Sequence, residues 1–257
     1  MTDSPKPIGL QLYPFRAALA ADFAGSLARI ADIGYVAVEF LGLHGHAPAQ
    51  AAAIADRLGL RTCASHLPLP EGAALQEAMD EAEVLRHTFP VANSSREDCA
   101  TRETVEALAA RLQRAAVFFR QHGMCFALHN HWWEFASIIA GRFAWEVIME
   151  QAADLSAELD TYWCAHGGQT DPAGIVASYR SRIPLLHVKD GVLGETPKHT
   201  PVGSGDLDIP TIMQAADPAV LEWVIVDLVE DPEADMFESA RESYRYLTAE
   251  GLATGRR

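Results

Sequence analysis

The sequence is poor in cysteine and in basic residues, and it has no long apolar run. The four cysteines, Cys63, Cys99, Cys125 and Cys164, are widely spaced and form no CxxC pair, which excludes a zinc knuckle or a disulfide framework and predicts reduced thiols. No window approaches the roughly eighteen apolar residues of a membrane span. The amino-terminal stretch has no signal-peptide pattern, so we expect a cytoplasmic protein without a membrane partner.

The charge balance is strongly acidic. Twenty Lys and Arg residues face 35 Asp and Glu residues, giving a formal net charge of −15. Because such a chain repels polyanions at long range, we expect no nucleic-acid partner. The acidic composition by itself identifies no partner, and the oligomeric state is left open, a homo-oligomer included.

What the sequence does contain is a regular alternation of short apolar runs and longer amphipathic segments. This alternation predicts parallel strands joined by helices, in one domain over residues 1–257. The predicted strands are 8–13, 35–40, 61–66, 89–92, 125–131, 156–160, 184–190 and 223–228. The predicted helices are 22–33, 48–58, 72–87, 101–121, 143–153, 172–180, 209–216 and 235–249.

The segment boundaries support these elements. Gly59 and Gly123 follow helical patterns where a left-handed residue is favoured, and Asp171 followed by Pro172 is typical of a helix start. Residues 191–208 form the longest connection and are expected to be a functional loop. An open doubly wound sheet would also alternate strand and helix, but neither GxGxxG nor GxxxxGK[ST] occurs. The predicted fold class is therefore α/β, a single (β/α)8 TIM barrel.

Polar side chains end most of the predicted strands. In such a barrel the carboxyl ends of the strands form the active site, so these side chains should converge. They are Glu39, His66, His129, His131, Asp160, His187, Lys189 and Asp227. Imidazole and carboxylate donors together suit Mn, Zn, Co or Fe, and suit Mg less as histidines increase. We expect one divalent metal bound by Asp160, His187 and Asp227, with a further ligand from the segment HNHWWEF.

Several of these residues have more than one interpretation. His66 could bind substrate or cap a strand, and Glu39 could serve the site or form a salt bridge. Lys189 could stabilise an enolate or pair with Asp190 or another acid. The aromatic residues near the predicted ligands could form a wall against a sugar or close the barrel; they are Trp132, Trp133, Phe135 and Trp163. Other histidines are expected to be solvated, namely His44, His46, His87, His122 and His199.

The chain resembles the xylose-isomerase-like barrel superfamily, in its sugar phosphate isomerase/epimerase group. The similarity extends almost end to end. It rests on IGLQLYPFR, IADIGYVAVEF, LHNHWWEF, LDTYW, RIPLLHVKD, VGSGDLDI and EWVIVDL, of which LHNHWWEF and RIPLLHVKD are specific as a pair.

The resemblance implies a ligand set for one divalent metal ion. In that superfamily strands 5 to 8 usually supply Glu, Asp, His and Glu, and here those positions hold His129, Asp160, His187 and Asp227. Two of the four depart from the pattern, and whether His129 or Glu134 is the ligand from strand 5 stays open. Ser204 also stands where VGEG would place a carboxylate.

The resemblance further implies an isomerase or epimerase that removes a proton beside a carbonyl to give an enediolate; a dehydratase would use the same intermediate. The expected catalytic residues are Glu134, Lys189 and Asp227. Glu39, His66, His131 and Trp163 are expected to bind a small polar carbohydrate, a sugar, sugar phosphate or cyclitol. The alternative, motivated by the departures, is a sugar-binding or regulatory barrel without the acid/base pair. The endonuclease branch is disfavoured by the acidic charge.

Overall fold

Eight parallel strands close into a barrel. The computed structural model describes residues 4–168, 171–194, 198–229 and 233–256. The barrel strands are β1 (Lys6–Gln11), β2 (Ala37–Leu41), β3 (Arg61–Leu67), β4 (Pro90–Asn93), β5 (Ala127–His129), β6 (Ser156–Asp160), β7 (Leu185–Val188) and β8 (Trp223–Val226). Each strand pairs in parallel with the next, and β1 pairs with β8 through Ile8 and Val224. This closure confirms the barrel and excludes an open sheet.

Helices between the strands form the outer layer. They are α1 (Arg16–Ala21), α2 (Phe23–Ile33), α3 (Pro48–Arg57), α4 (Ala74–Leu85), α5 (Arg102–Gln121), α6 (Trp133–Ala136), α7 (Ala144–Gln151), α8 (Thr161–Gly168), α9 (Pro172–Tyr179), α10 (Ile209–Ala215) and α11 (Met236–Ala249). Single 3-10 turns occupy Tyr13–Phe15, Glu97–Cys99 and Arg180–Arg182. A short strand, Ala253–Thr254, pairs in parallel with the beginning of β1. No helix among the described residues has the length and apolarity needed to cross a bilayer.

Local sequence accounts for many of the element boundaries. Asp22, Thr101 and Asp171 cap their helices by accepting backbone N–H groups. Gly59 and Gly123 take φ values of 66° and 75°, which L side chains rarely adopt, and so turn the chain from helix toward strand.

The structure also contains elements that the sequence patterns did not predict. Three short helices, α1, α6 and α8, follow strands β1, β5 and β6. Strand β5 ends at His129, so His131 lies beyond the strand and not within it. In the long connection, Asp190–Val192 pairs in antiparallel fashion with Lys198–Thr200; residues 195–197 lie outside the described part. Strand bounds otherwise agree with the predictions to within a few residues.

The barrel has two apolar layers. The larger lies between the strands and the surrounding helices, with Leu112, Phe119 and Trp145 among its fully buried members. The smaller fills the barrel interior with compact side chains such as Ala37, Cys63 and Ala127. Above this interior plug, toward the carboxyl ends of the strands, the inward-facing residues become polar.

Candidate functional site

A cavity of about 420 Å³ opens at the carboxyl ends of the strands. Its lining includes Gln11, Tyr13, Leu41, His66, Asn93, His129, His131, Trp163, Lys189, Asp227, Leu228 and Val229. A neighbouring groove of about 960 Å³ runs between the loops after β2 and β3 and shares Leu41, His66 and Asn93 with the cavity. The cavity volume is in the range of small-molecule sites.

Four residues that could ligate a metal converge beside this cavity. His129, Asp160, His187 and Asp227 each offer one ligand atom, and these atoms lie within 4.8 Å of one another. Three stand in or at the ends of β5, β6 and β7, and Asp227 directly follows β8. We call this set the upper ligand group. It is the same set of positions that the family resemblance implies as metal ligands.

Local hydrogen bonds fix the Asp160 carboxylate in place. Its Oδ1 accepts the backbone N–H of Trp163 at 2.7 Å, so the residue that ends β6 also caps α8. The Asn130 side chain accepts the Asp160 N–H at 2.9 Å and donates to its carbonyl oxygen. Strands β5 and β6 are thereby locked together at their ends, where the ligand atoms lie.

Lys189 lies between the two carboxylates of the upper ligand group. Its Nζ is 3.0 Å from Asp160 Oδ2 and 2.5 Å from Asp227 Oδ2. It does not pair with Asp190. Burial lowers the pKa of Lys189, but the two carboxylates outweigh burial and raise it. Burial raises the pKa of Asp227, whereas Lys189 and His187 lower it well below its usual range. An ammonium ion and a carboxylate therefore face the cavity together.

A second polar group lies deeper in the barrel, around two carboxylates. Glu39 Oε2 accepts from His187 Nε2 at 2.7 Å and is 3.3 Å from His66 Nε2. Glu158 Oε2 is 2.8 Å from His66 Nε2 and 3.1 Å from His187 Nε2. Both glutamates have no exposed surface, and neither is among the residues that line the cavity. Glu39 therefore binds the imidazole of His187, a residue of the upper ligand group, through its Nε2.

Charge in this deeper group is balanced internally. Burial lowers the pKa of His66, but Glu39 and Glu158 outweigh burial and raise it to about 10. Burial and repulsion from Glu39 raise the pKa of Glu158. The pKa of Glu39 is instead lowered, because His187 and His66 overcome the effect of burial. Buried carboxylates of this kind persist only when they are paired.

Glu158 is a buried carboxylate of the candidate site that the sequence patterns did not predict. It lies two positions before Asp160 in β6, and alternate residues of a strand face the same side. The inward position of Asp160 was therefore a sufficient signal for Glu158. Gln11, Tyr13 and Asn93 were missed as well. Gln11 and Asn93 are the last residues of β1 and β4, so the rule of polar strand ends could have found them.

The donor atoms of the upper ligand group fit a divalent metal. Asp160 Oδ2 and His187 Nδ1 are buried, and the partner of Asp160 Oδ2 is the Lys189 ammonium at 3.0 Å. His187 Nδ1 lies 3.5 Å from Asp227 Oδ2, while its other ring nitrogen is held by Glu39. A carboxylate behind an imidazole ligand is the usual outer support of a metal site. Mixed nitrogen and oxygen donors suit Zn, Mn, Co or Fe.

Glu134 is fully buried and is not among the cavity-lining residues. Its carboxylate accepts the Ser94 hydroxyl at 2.5 Å and the His131 backbone N–H at 2.9 Å. Burial raises its pKa to about 8. The His131 ring stacks on Trp133 at 4.2 Å between centroids and has its pKa lowered to about 3 by burial and by Lys189. Glu134 thus contacts the segment that positions His131.

The other predicted residues are placed as follows. Trp163 lines the cavity, and Lys189 Nζ lies 5.1 Å from its ring centroid. Phe135 is in the apolar core, and Ser204 is exposed on the long connection, outside the lining. The prediction that His87 is solvated is wrong, because it is 5% exposed. The side chain of His199 lies outside the described part of the structure.

Comparison with known proteins agrees with this architecture. The family model described as "xylose isomerase-like TIM barrel" matches residues 27–249. A sugar phosphate isomerase/epimerase from Parabacteroides distasonis is 24% identical, with a TM-score of 0.81, and 98% of this chain and 97% of that chain are covered. The probable 3-DHS dehydratase AsbF from Bacillus anthracis is 13% identical, with a TM-score of 0.74 and coverage of 94% and 98%.

A D-allulose 3-epimerase from Methylomonas sp. is 16% identical, with a TM-score of 0.69 and coverage of 97% and 99%. No curated protein matches this chain. At these identities the solved structures establish the fold alone. The family model spans most of the chain, and with the closed barrel it shows that the chain belongs to the xylose isomerase-like TIM barrel family.

Proposed function

We propose that this protein is a metal-dependent isomerase or epimerase of a small carbohydrate or cyclitol, acting by proton abstraction beside a carbonyl group. The observation that carries the proposal is the convergence of His129, Asp160, His187 and Asp227 beside a cavity that Lys189 also lines. A divalent metal bound by these four residues would supply Lewis-acid polarisation of a substrate oxygen. The sugar epimerases and the dehydratase among its structural neighbours make this class of reaction the first to test.

The remaining chemistry belongs to side chains of the cavity. Lys189 is a fixed cation that can donate to a substrate oxygen as negative charge develops in an enediolate. Asp227, which contacts Lys189, would accept the carbon-bound proton. Glu134 would act through His131, whose backbone it binds, and not by direct contact with substrate. Trp163 and His131 line the cavity and would contact the sugar.

The charge of the cavity favours an unphosphorylated substrate. Among the described residues that line the cavity and the neighbouring groove, Lys189 is the sole Lys or Arg, and Asp160 and Asp227 already pair with it. The internal segments that the structure does not describe, 169–170, 195–197 and 230–232, contain no Lys or Arg either. A phosphate dianion would therefore meet no unpaired Lys or Arg among these residues. We propose a neutral ketose or cyclitol ketone rather than a sugar phosphate.

The test is exchange of carbon-bound hydrogen in deuterated buffer. The protein, loaded with Mn²⁺, Co²⁺ or Mg²⁺, is incubated with neutral ketoses, inososes and their phosphates, and exchange at the carbon beside the carbonyl is followed by NMR. We expect exchange with a neutral substrate, lost in Asp160→Asn. Binding without exchange for every compound would favour the alternative of a sugar-binding barrel. Exchange confined to phosphorylated sugars would refute the neutral-substrate proposal.

A further inference from the structure

A groove of about 960 Å³ lies beside the cavity and has more than twice the cavity's volume of about 420 Å³. The loop after β2 forms one of its walls, and the loop after β3 forms the other together with helix α4. Leu41, His66 and Asn93 line both spaces and so mark their boundary. A group that projects past this boundary from a molecule in the cavity would therefore lie in the groove.

The groove is lined mainly by apolar side chains. Leucines and prolines at the strand ends and in the two loops form most of this apolar lining: Leu41, Leu43, Leu67, Pro68, Leu69 and Pro70. All four leucines are partly exposed to solvent. Because removing apolar surface from water is favourable, an apolar occupant would be stabilised here. A further sugar ring would find few hydrogen-bond partners along these side chains.

The charge of the groove disfavours an anionic occupant. Its acidic residues are Glu77 and Glu81, which are both exposed on α4. Among the described residues that line the groove there is neither Lys nor Arg to offset them. Because two carboxylates repel negative charge, the groove favours an uncharged group over a phosphate or a second carboxylate.

The walls of the groove are held in place before any ligand binds. Pro68 and Pro70 restrict the backbone of the second wall, since the proline ring fixes φ. Leu43 and Leu69, one in each loop, pack against the large apolar core. Little conformational freedom is therefore lost when a ligand enters, which favours affinity.

We propose that the natural substrate is a glycoside, a neutral sugar ketone whose apolar aglycone lies in the groove against Leu67 and Leu69. The proposal rests on the proposed function, because it takes the sugar ring to occupy the cavity near Lys189, and it adds the substrate class. The aglycone would extend past Leu41 and His66. A free sugar ketone would bind the same cavity more weakly, because the apolar walls would stay in contact with water.

The test compares pairs of compounds that differ only in the aglycone. The full chain, with Mn²⁺ present, is titrated with the phenyl and methyl glycosides of glucose, galactose and xylose, and dissociation constants are obtained by ligand-observed NMR. These compounds carry no ketone, so the measurement does not depend on proton transfer. We expect the phenyl member of at least one pair to bind about tenfold more tightly or better. Equal affinities in every pair, or no binding at all, would overturn the proposal.

Leu67→Asn and Val84→Thr are matched variants that replace an apolar side chain by a polar one of similar shape. Leu67 lines the groove, whereas Val84 is exposed on α4 outside the lining. We expect Leu67→Asn to reduce the phenyl preference by about fivefold or more, and Val84→Thr to leave it unchanged. A preference that survives in a folded Leu67→Asn protein would refute the placement of the aglycone.

Folding of both variants is checked by circular dichroism. If Leu67→Asn does not fold, nuclear Overhauser effects between the phenyl protons and leucine methyl groups of the wild type decide the placement, and their absence would refute it. Failure of this proposal is distinguishable from failure of the proposed function. Hydrogen exchange into a free sugar ketone, beside equal binding of phenyl and methyl glycosides, would leave the isomerase standing without the aglycone groove. A phenyl preference that Leu67→Asn removes, without exchange in any substrate, would support the groove and contradict the isomerase.

Discussion

His87 is a buried imidazole outside the cavity, and its protonation should govern part of the acid stability of the protein. Phe89 donates its backbone N–H to His87 Nδ1 at 3.2 Å, and His87 Nε2 lies 2.9 Å from the Ser65 hydroxyl. Because Nδ1 accepts a hydrogen bond, the ring is neutral with its proton on Nε2. Burial lowers the pKa of this histidine from 6.5 to about 4.

The sign of the effect follows from proton uptake on unfolding. His87 takes up a proton near pH 6.5 in the unfolded chain but only near pH 4 in the folded one. The stabilisation is therefore fully present above pH 6.5 and is lost as the pH falls toward 4. For one such group the loss is about 2 kcal/mol between about pH 8 and pH 5, and about 3.4 kcal/mol in all.

The matched variant is His87→Asn, which keeps an acceptor near the Phe89 N–H and cannot titrate. The free energy of unfolding by urea is measured for both proteins from pH 8 to pH 5. The advantage of the wild type should shrink by about 2 kcal/mol over that range. NMR titration of the imidazole checks the cause directly. A His87 ring that titrates near its ordinary pKa, or an advantage independent of pH, would refute the reasoning.

Three further outcomes are expected. Lys189→Met frees the carboxylates of the upper ligand group, so calorimetric titration should show tighter metal binding. Hydrogen exchange into substrate should fall by about a hundredfold or more. Unchanged metal affinity would show that Lys189 does not compete with the metal for these carboxylates. Glu39→Gln keeps an acceptor for His187 but removes its charge, so metal affinity should fall by about 10- to 100-fold in the same titration, and an unchanged value would deny its supporting role. The Asp190 carboxylate accepts the Gly203 backbone N–H, so Asp190→Asn should speed amide exchange around Gly203 by about a hundredfold. Asp206→Asn, which weakens one exposed bond to Leu193, should not, and equal responses would show that Asp190 does not order this connection.

The fold was largely predictable, because each buried parallel strand is a short apolar run and ends in a polar residue at the same face of the barrel. The positions of Asp160, His187 and Asp227 follow from that rule together with strand order. The short helices α6 and α8 were not predictable, since four residues carry no helical period and α8 ends in two glycines. Their formation depends on contacts at the strand ends, such as the cap that Asp160 provides.

Burial separates residues that look equivalent in the sequence. Glu39 and Asp227 both lie near the ends of predicted strands, yet only Asp227 lines the cavity, because Glu39 lies behind His187. In the same way Glu134 follows the histidine pair of HNHWWEF, but α6 turns its carboxylate toward Ser94. Strand register fixes which face a side chain occupies, while depth along the barrel axis depends on neighbours that no local pattern specifies.

Lys189 and Asp190 are consecutive residues whose side chains lie on opposite sides of the barrel wall. The ammonium of Lys189 lies in the cavity, while the carboxylate of Asp190 gathers the backbone N–H groups of Gly203 and Gly205, each at 2.9 Å. The two residues share one planar peptide unit. A single stretch of backbone after β7 thus carries both the cation of the cavity and the carboxylate that holds the long connection in place.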